Sequence, residues 1–466
     1  MVYDTKYHLV WMQKFRKWVQ RQDIPKRVLE IFSDIAAHHG FEIQELRVAP
    51  EKKGVIKMLD FTFVFDLLNE EQKSLVALMK EFCQREVDRK RMNELADKPV
   101  PPNATKKDLM DRIPWDIISK AHDVGLRQVA VPKEYGGGGY GDRWITMHAL
   151  AEAAGYYGGK VGRLFTLPWK HCSTLCYAPK PIQDEFFPAF MKNRKTLFAA
   201  SITEPDHGSD LLMPYDDPSV GKTIGYKDKD EWVINGEKMF CTAGGVSDYI
   251  ILSVRTDKNA KISKAMTTFL CPTNTPGFSV HRVNDMMGNE VPSNTQFLFE
   301  NCRIPDRLRM TPVNGAYEEM RSRLAGKSLH FMTFLGESQW EWEQMRDYAK
   351  KRIQGGKPII QHPNIGMLIA EGDCLLRTLR LLIYQDAWDC DRMQDKQGLV
   401  SPLGWWYVNF WYKKVIYRLI EIGHEVYGGM APQKELPFEN WVRVNMSILH
   451  GGSTGSLSLV KASKIL

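Results

Sequence analysis

The 466-residue sequence predicts an α+β, mainly α fold in which helices give way to strands and then return. Three observations predict it. Apolar residues recur at three-to-four spacing early in the chain, short β-branched runs fill its middle, and long helical patterns close it. With 43% hydrophobic and 26% charged residues the chain can build several cores, which excludes a disordered, fibrous or miniprotein reading.

The first helical region is marked by Glu70, Glu71 and Lys73 around Leu75, Leu78 and Phe82. After Val129-Ala-Val131 the Gly-rich run Tyr135-Gly-Gly-Gly-Gly-Tyr-Gly141 predicts a loop between helices. Strands are expected at Glu231-Trp-Val-Ile-Asn235, Tyr249-Ile-Ile-Leu-Ser253 and Thr295-Gln-Phe-Leu-Phe-Glu300, punctuated by turns at Asn235-Gly236 and Thr275-Pro-Gly277. A compact, mostly antiparallel β domain fits that texture. Helical patterning resumes around Trp340 to Arg352, Ile365 to Asp389 and Trp405 to Tyr427. The expected organisation is an appendage over 1–55, a helical domain over 56–200, a central antiparallel β domain over 201–312 and a helical domain over 313–466.

Sixty-three Lys and Arg against 56 Asp and Glu give a net charge of +7, spread along the chain, which does not call for nucleic acid. No stretch approaches the ~18–20 apolar residues of a membrane span, and the early residues carry charges where a secretory signal needs an apolar core. The expectation is a cytoplasmic protein without a membrane partner. Eight scattered cysteines with no CxxC pair fit reduced thiols. His171, Cys172 and Cys176 lack a second ligand pair, so no metal site is expected.

Four segments carry the chemistry. Ser201-Ile-Thr-Glu-Pro-Asp-His-Gly-Ser-Asp210 clusters hydroxyls and a Gly where helices give way to strands, able to present hydroxyls and N–H groups to a phosphate or heteroaromatic ring. Taken alone it is as readily a domain-linking turn. Gly236-Glu-Lys-Met-Phe-Cys-Thr-Ala-Gly-Gly245, Lys351-Arg-Ile-Gln-Gly-Gly-Lys-Pro358 and Glu425-Val-Tyr-Gly-Gly429 follow, each compatible with an ordinary helix or strand end. Their order and spacing form the signal.

That ordered set resembles the acyl-CoA dehydrogenase family of flavoproteins over roughly Leu67 to Leu466. Further matches are Pro132-Lys-Glu-Tyr-Gly-Gly137, Thr275-Pro-Gly-Phe-Ser-Val280, Asp285-Met-Met-Gly288 and Glu300-Asn-Cys-Arg-Ile-Pro305. The resemblance implies a C-terminal four-helix bundle, FAD as cofactor, an acyl-CoA substrate, a homodimer or homotetramer, and an electron-transfer flavoprotein as acceptor. It assigns Thr203 and Ser209 to the flavin and its pyrophosphate, and Thr242 to the flavin's polar edge. Arg352, Gln354, Gly428 and Gly429 are assigned to the FAD of a neighbouring subunit. An isoalloxazine needs fixed donors at its polar edge and a pyrophosphate needs hydroxyls, N–H groups and an Arg, so these residue types suit those roles. Phe240, Gly355 and Glu425 stand where the family usually has Trp, Phe and Gln.

In this family a glutamate removes the substrate α-proton, a contribution of roughly two to four orders of magnitude in rate. At its usual position the present chain reads His450-Gly-Gly-Ser-Thr454, aligning Gly452 or, one register over, Gly451. The alternative position on the first C-terminal helix aligns with Gly326. A glycine keeps the backbone N–H that polarises the thioester carbonyl in relatives, and it vacates space for a bulky, cyclic or carboxylated acyl group. Three readings follow. An oxidoreductase with an atypical base would use His450 or His171, although a lone His is more often structural. A lyase, decarboxylase or desulfinase, would need no base. A non-catalytic protein would merely bind FAD or CoA esters. Arg163 and Arg443 are candidates for reading a second substrate carboxylate, against the commoner solvated role. The thirteen Trp residues read as core and interface.

The N-terminal Tyr3-Asp-Thr-Lys-Tyr-His-Leu-Val-Trp11, Lys14-Phe-Arg-Lys17 and His39-Gly-Phe-Glu-Ile43 resemble the start of an insertion-sequence tyrosine transposase. That enzyme needs a His-apolar-His metal pair and a later nucleophilic Tyr; here the segment runs into Ala49-Pro-Glu-Lys-Lys-Gly54 and the metal pair is absent, which implies a fusion relic or annexed start codon without DNA cleavage by that mechanism.

Overall fold

A computed structural model describes residues 64 to 466 other than 65, 213–218, 289–290, 292, 318–327 and 396–400. The transposase-like segment and Gly326 lie outside the described residues.

The helical first third runs through α1 (Glu70–Glu86), α2 (Arg89–Asp97), α3 (Lys106–Met110), α4 (Trp115–Asp123), α5 (Trp144–Gly158), α6 (Gly162–Leu175) and α7 (Lys180–Lys192). Local chemistry sets the starts. Asn69 Oδ1 accepts from Gln72 N at 2.9 Å while Gln72 Oε1 accepts from Asn69 N at 2.8 Å, a reciprocal cap for α1. Thr105 and Asp108 do the same for α3. Helix α5 buries residues all round its circumference, because α1, α6 and the C-terminal helices enclose it.

The middle forms a seven-stranded sheet in the order β1-β4-β2-β3-β7-β6 with β5 on β4. The strands are β1 (Phe198–Ser201), β2 (Ile224–Asp228), β3 (Glu231–Thr242), β4 (Tyr249–Arg255), β5 (Met266–Pro272), β6 (Phe278–Val283) and β7 (Asn294–Pro305). The β2–β3, β3–β7, β4–β5 and β6–β7 pairings are antiparallel, as the sequence predicts. Strands β1 and β2 each pair with β4 in parallel, Phe198 opposite Tyr249 and Ile224 opposite Arg255, so the sheet is mixed around β4 rather than antiparallel throughout. Its core holds Trp232, Ile234, Phe269 and Phe297.

The return to helices gives α8 (Leu329–Lys351), the short strands β8 (Ile353–Gln354) and β9 (Lys357–Pro358), then α9 (Pro363–Asp395), α10 (Leu403–Tyr427), α11 (Pro437–Ile448) and α12 (Gly455–Ser463). Helix α8 packs on α5 and against α9 and α10, so the last helices join the first into one body beside the sheet. The fold is the expected one: a helical N-terminal part, a β middle and a helical C-terminal part.

Candidate active site

A cavity of about 760 Å³ lies where helices and sheet meet. Thr203, Ser209 and Thr242 line it from the sheet side, His171 from α6, and His450 and Gly452 from the loop after α11. Six residues singled out in sequence, scattered over some 280 positions of chain, thus share one space.

The sheet-side wall is braced from beneath. Glu204 is 3% exposed and Lys238 is fully buried, with Lys238 Nζ 2.8 Å from Glu204 Oε1. The same carboxylate accepts the N–H groups of Lys222 at 2.5 Å and Thr223 at 3.1 Å. Burial alone pushes the Glu204 carboxyl up, but the Lys238 charge and these hydrogen bonds outweigh it and hold it below the usual range. Met239 N donates to Thr203 O at 2.8 Å, and Asp210 accepts from Gly208 N and His207 Nδ1, both at 2.6 Å, fixing the segment that carries Thr203 and Ser209. On β3 the pairing with β7 shifts register between Lys238 and Cys241. In that bulge Phe240 takes φ +58° and is 53% exposed, lining the cavity beside Thr242. The hydroxyls of Thr203, Ser209 and Thr242 make no hydrogen bond to any described residue.

The opposite wall is helical. Gly452 has φ +71° and Ser453 φ +103° in a tight loop, where Gly451 N donates to Ile448 O at 2.7 Å and Ser453 N to His450 O at 3.3 Å. No described acceptor takes the Gly452 N–H. A Cβ added to Gly452 would stand 3.4 Å from the Trp405 ring, so the absent side chain leaves room between loop and indole. His450 is exposed at the rim. His171 is buried, and desolvation, then the neighbouring Lys170 charge, push its imidazole down to about 3, making it a poor proton acceptor.

Several lining residues escaped the sequence reading. His330 lies on the first turn of α8, 6.0 Å ring to ring from Trp405. Lys170 lines the cavity from α6 beside Arg163, and Lys461 from α12. Burial, with Arg163 adding to it, depresses Lys170 to about 8; burial does the same to Lys461. Among the described lining residues there is no Asp or Glu. Helical periodicity shows that a face is shared without showing what it faces, so only the assembled fold brings these residues forward.

Arg352, Gln354, Gly428 and Gly429 do not line the cavity and lie exposed on the surface. Arg443 is engaged by Asp97 at 3.0 Å and Glu439 at 2.5 Å, outside the cavity lining. Among the described residues no three His, Cys, Asp or Glu side chains are grouped to hold a metal, and no helix is long and apolar enough to cross a membrane.

Residues 69–189, 199–302 and 320–457 match the N-terminal, middle and C-terminal domains of acyl-CoA dehydrogenase in turn. Residues 1–52 match the IS200-like transposase family. The chain is 26% identical over 392 residues to the 3-(aryl)acrylate reductase of Clostridium sporogenes, covering 82% of this chain and 98% of that protein. It is also 26% identical to the cyclohexane-1-carbonyl-CoA dehydrogenase of Syntrophus aciditrophicus, covering 74% of this chain and 86% of that one. Among solved structures, butyryl-CoA dehydrogenase from Megasphaera elsdenii superposes with a TM-score of 0.73 at 20% identity, over 86% of this chain and 99% of that one. With its three domains matched in order and its fold shared, the chain belongs to the acyl-CoA dehydrogenase family of FAD-dependent flavoenzymes.

Proposed function

We propose that the protein is an FAD-dependent oxidoreductase acting on the CoA thioester of a bulky, cyclic or carboxylated acid, with glycine at both positions where the family carries its glutamate base. The observation that carries this reading is the cavity itself, which is lined by three hydroxyl residues and by Gly452, whose N–H has no described acceptor, and by no described carboxylate. The residues suit the cofactor: hydroxyls without partners at a concave, largely apolar site are what a flavin's polar edge requires, and the volume falls within the usual range of ~300–1,000 Å³ for ligand pockets.

In this reading Thr203 and Ser209 hold the flavin and its pyrophosphate, and Thr242 donates to the flavin's polar edge. FAD, when bound, supplies the two-electron acceptor for the substrate. The Gly452 N–H donates to the thioester carbonyl and stabilises negative charge as it develops there. His450, exposed at the rim, takes the α-proton, whereas the buried His171, its imidazole pushed down by desolvation and Lys170, does not. Arg352, Gln354, Gly428 and Gly429, exposed on the surface, reach the FAD of a neighbouring subunit in a homodimer or homotetramer, and an electron-transfer flavoprotein reoxidises the enzyme.

The carboxylate-free lining also supports a second reading, a lyase that generates its carbanion by expelling carbon dioxide or a sulfinate and needs no base. One experiment separates them. The purified holoenzyme is mixed with candidate acyl-CoAs and an electron acceptor, flavin bleaching is followed, and products are weighed by mass spectrometry. Loss of two hydrogens supports the oxidoreductase, loss of a carboxyl or sulfur group the lyase, and binding without turnover contradicts both.

A further inference from the structure

One wall of the cavity is a single face of α6. Arg163, Thr166, Leu167, Lys170 and His171 recur at the three- and four-residue steps that align side chains along one side of a helix, and all five line the cavity. Lys170 stands two turns from Arg163, about 10 Å along the axis, and the two cations feel each other.

Lys170 is half-buried at the cavity wall, and a lysine ammonium drawn partly out of water is costly unless paired. No described residue accepts a hydrogen bond from Lys170, and no described Asp or Glu lines the cavity to neutralise it. Burial and Arg163 hold the Lys170 ammonium down near 8, so an arriving anion would both pair with Lys170 and restore its ammonium. An apolar acyl chain would instead leave the Lys170 charge facing it.

We propose that the α6 wall is an anion subsite in which Lys170 receives a carboxylate on the acyl group, so that the substrate is the CoA thioester of a dicarboxylic acid. This rests on the reading of the cavity as an acyl-CoA site and selects among the acyl groups which that reading allows. Thr166, 3% exposed and one turn from each cation, stands between them on the same face.

The FAD-loaded protein is titrated calorimetrically with two matched pairs, pentanoyl-CoA against glutaryl-CoA and octanoyl-CoA against its ω-carboxylated counterpart, and with CoA alone. The expected result is that the carboxylated member of at least one pair binds tenfold or more tightly than its partner. In Lys170→Met that preference falls to within twofold, with FAD content and CoA affinity unchanged. Should Lys170→Met fail to fold, Lys170→Gln is read in the same way.

Equal affinity within both pairs in the wild-type protein overturns the subsite and leaves the acyl-CoA reading standing. Loss of FAD in the Lys170 variant assigns the cation to the flavin pyrophosphate, and an equal loss of affinity for CoA alone assigns it to the CoA phosphates; either overturns the proposal. Binding of none of the four thioesters overturns the acyl-CoA reading and the subsite together.

Discussion

Lys413 donates its ammonium to the main-chain carbonyl of Ser453, tying α10 to the loop that carries Gly452. Asn409, one turn earlier on α10, reinforces the tie with a 2.6 Å hydrogen bond from Nδ2 to Ser458 Oγ, and the Thr454 hydroxyl caps α12 through Leu457 N at 3.2 Å. The loop is therefore held from a rigid helix and can keep its left-handed conformation with the Gly452 N–H uncommitted. Lys413→Met should leave FAD content unchanged and raise the KM for the thioester severalfold, because the donor group loses its fixed position. Steady-state kinetics alongside flavin absorbance check this; an unchanged KM would separate the loop from substrate binding.

Gly452→Ala isolates the backbone's contribution. The added methyl meets Trp405 at 3.4 Å, an ordinary contact, so the penalty comes from φ +71°, which costs a non-glycine residue about 1 kcal/mol. Urea denaturation should show a loss of that size with an unchanged m-value. A loss of several kcal/mol would mean that the loop cannot absorb the methyl.

Lys238→Met should be far more damaging. It leaves the Glu204 carboxylate 3% exposed without its cation, a situation that costs about 3–5 kcal/mol. Because Glu204 braces the segment bearing Thr203 and Ser209, FAD content should fall with stability. The double variant Lys238→Met, Glu204→Gln should recover most of the stability, since no charge is then stranded; no recovery would argue against the ion pair as the source of the loss.

The site's legibility in sequence divides along a physical line. Thr203, Ser209 and Thr242 sit in turns and strand ends, where hydroxyls and glycines stand out from their neighbours, and the cavity indeed gathers all three. Lys170, His330 and Lys461 sit inside or beside amphipathic helices, where a cation or imidazole reads as solvated until the opposing wall is known. The parallel β1–β4 pairing was hidden for a related reason: both strands are apolar runs, and periodicity within a strand carries no information about its partner's direction. The bulge that turns Phe240 to φ +58° likewise depends on the register of β3 against β7, a relation between segments some sixty residues apart.

The N-terminal segment bears on function through its removal. A chain beginning at Val55 lacks the transposase-like match and keeps all three acyl-CoA dehydrogenase domains. It should retain FAD and the wild-type kcat; loss of both on truncation would give the appendage a role in the flavoenzyme.

Glu341 on α8 is 1% exposed, and its Oε2 finds no partner among the described residues, while Oε1 accepts from Tyr427 at 3.3 Å. Burial raises its carboxyl to about 8; the Tyr427 bond opposes that rise, Glu337 adds to it and Arg89 opposes it. An acid whose folded pKa lies above its unfolded value of 4.5 binds its proton more tightly when folded. Its stabilising effect is complete below about 4.5 and is lost as pH climbs toward 8, at up to about 1.4 kcal/mol per pH unit. Glu341→Gln keeps the shape and removes the titration. The variant should match or slightly trail the wild type at pH 5 and exceed it at pH 8, with a flatter dependence of denaturation midpoint on pH between those values. Parallel curves for the two proteins would show that Glu341 is already ionised in the folded state.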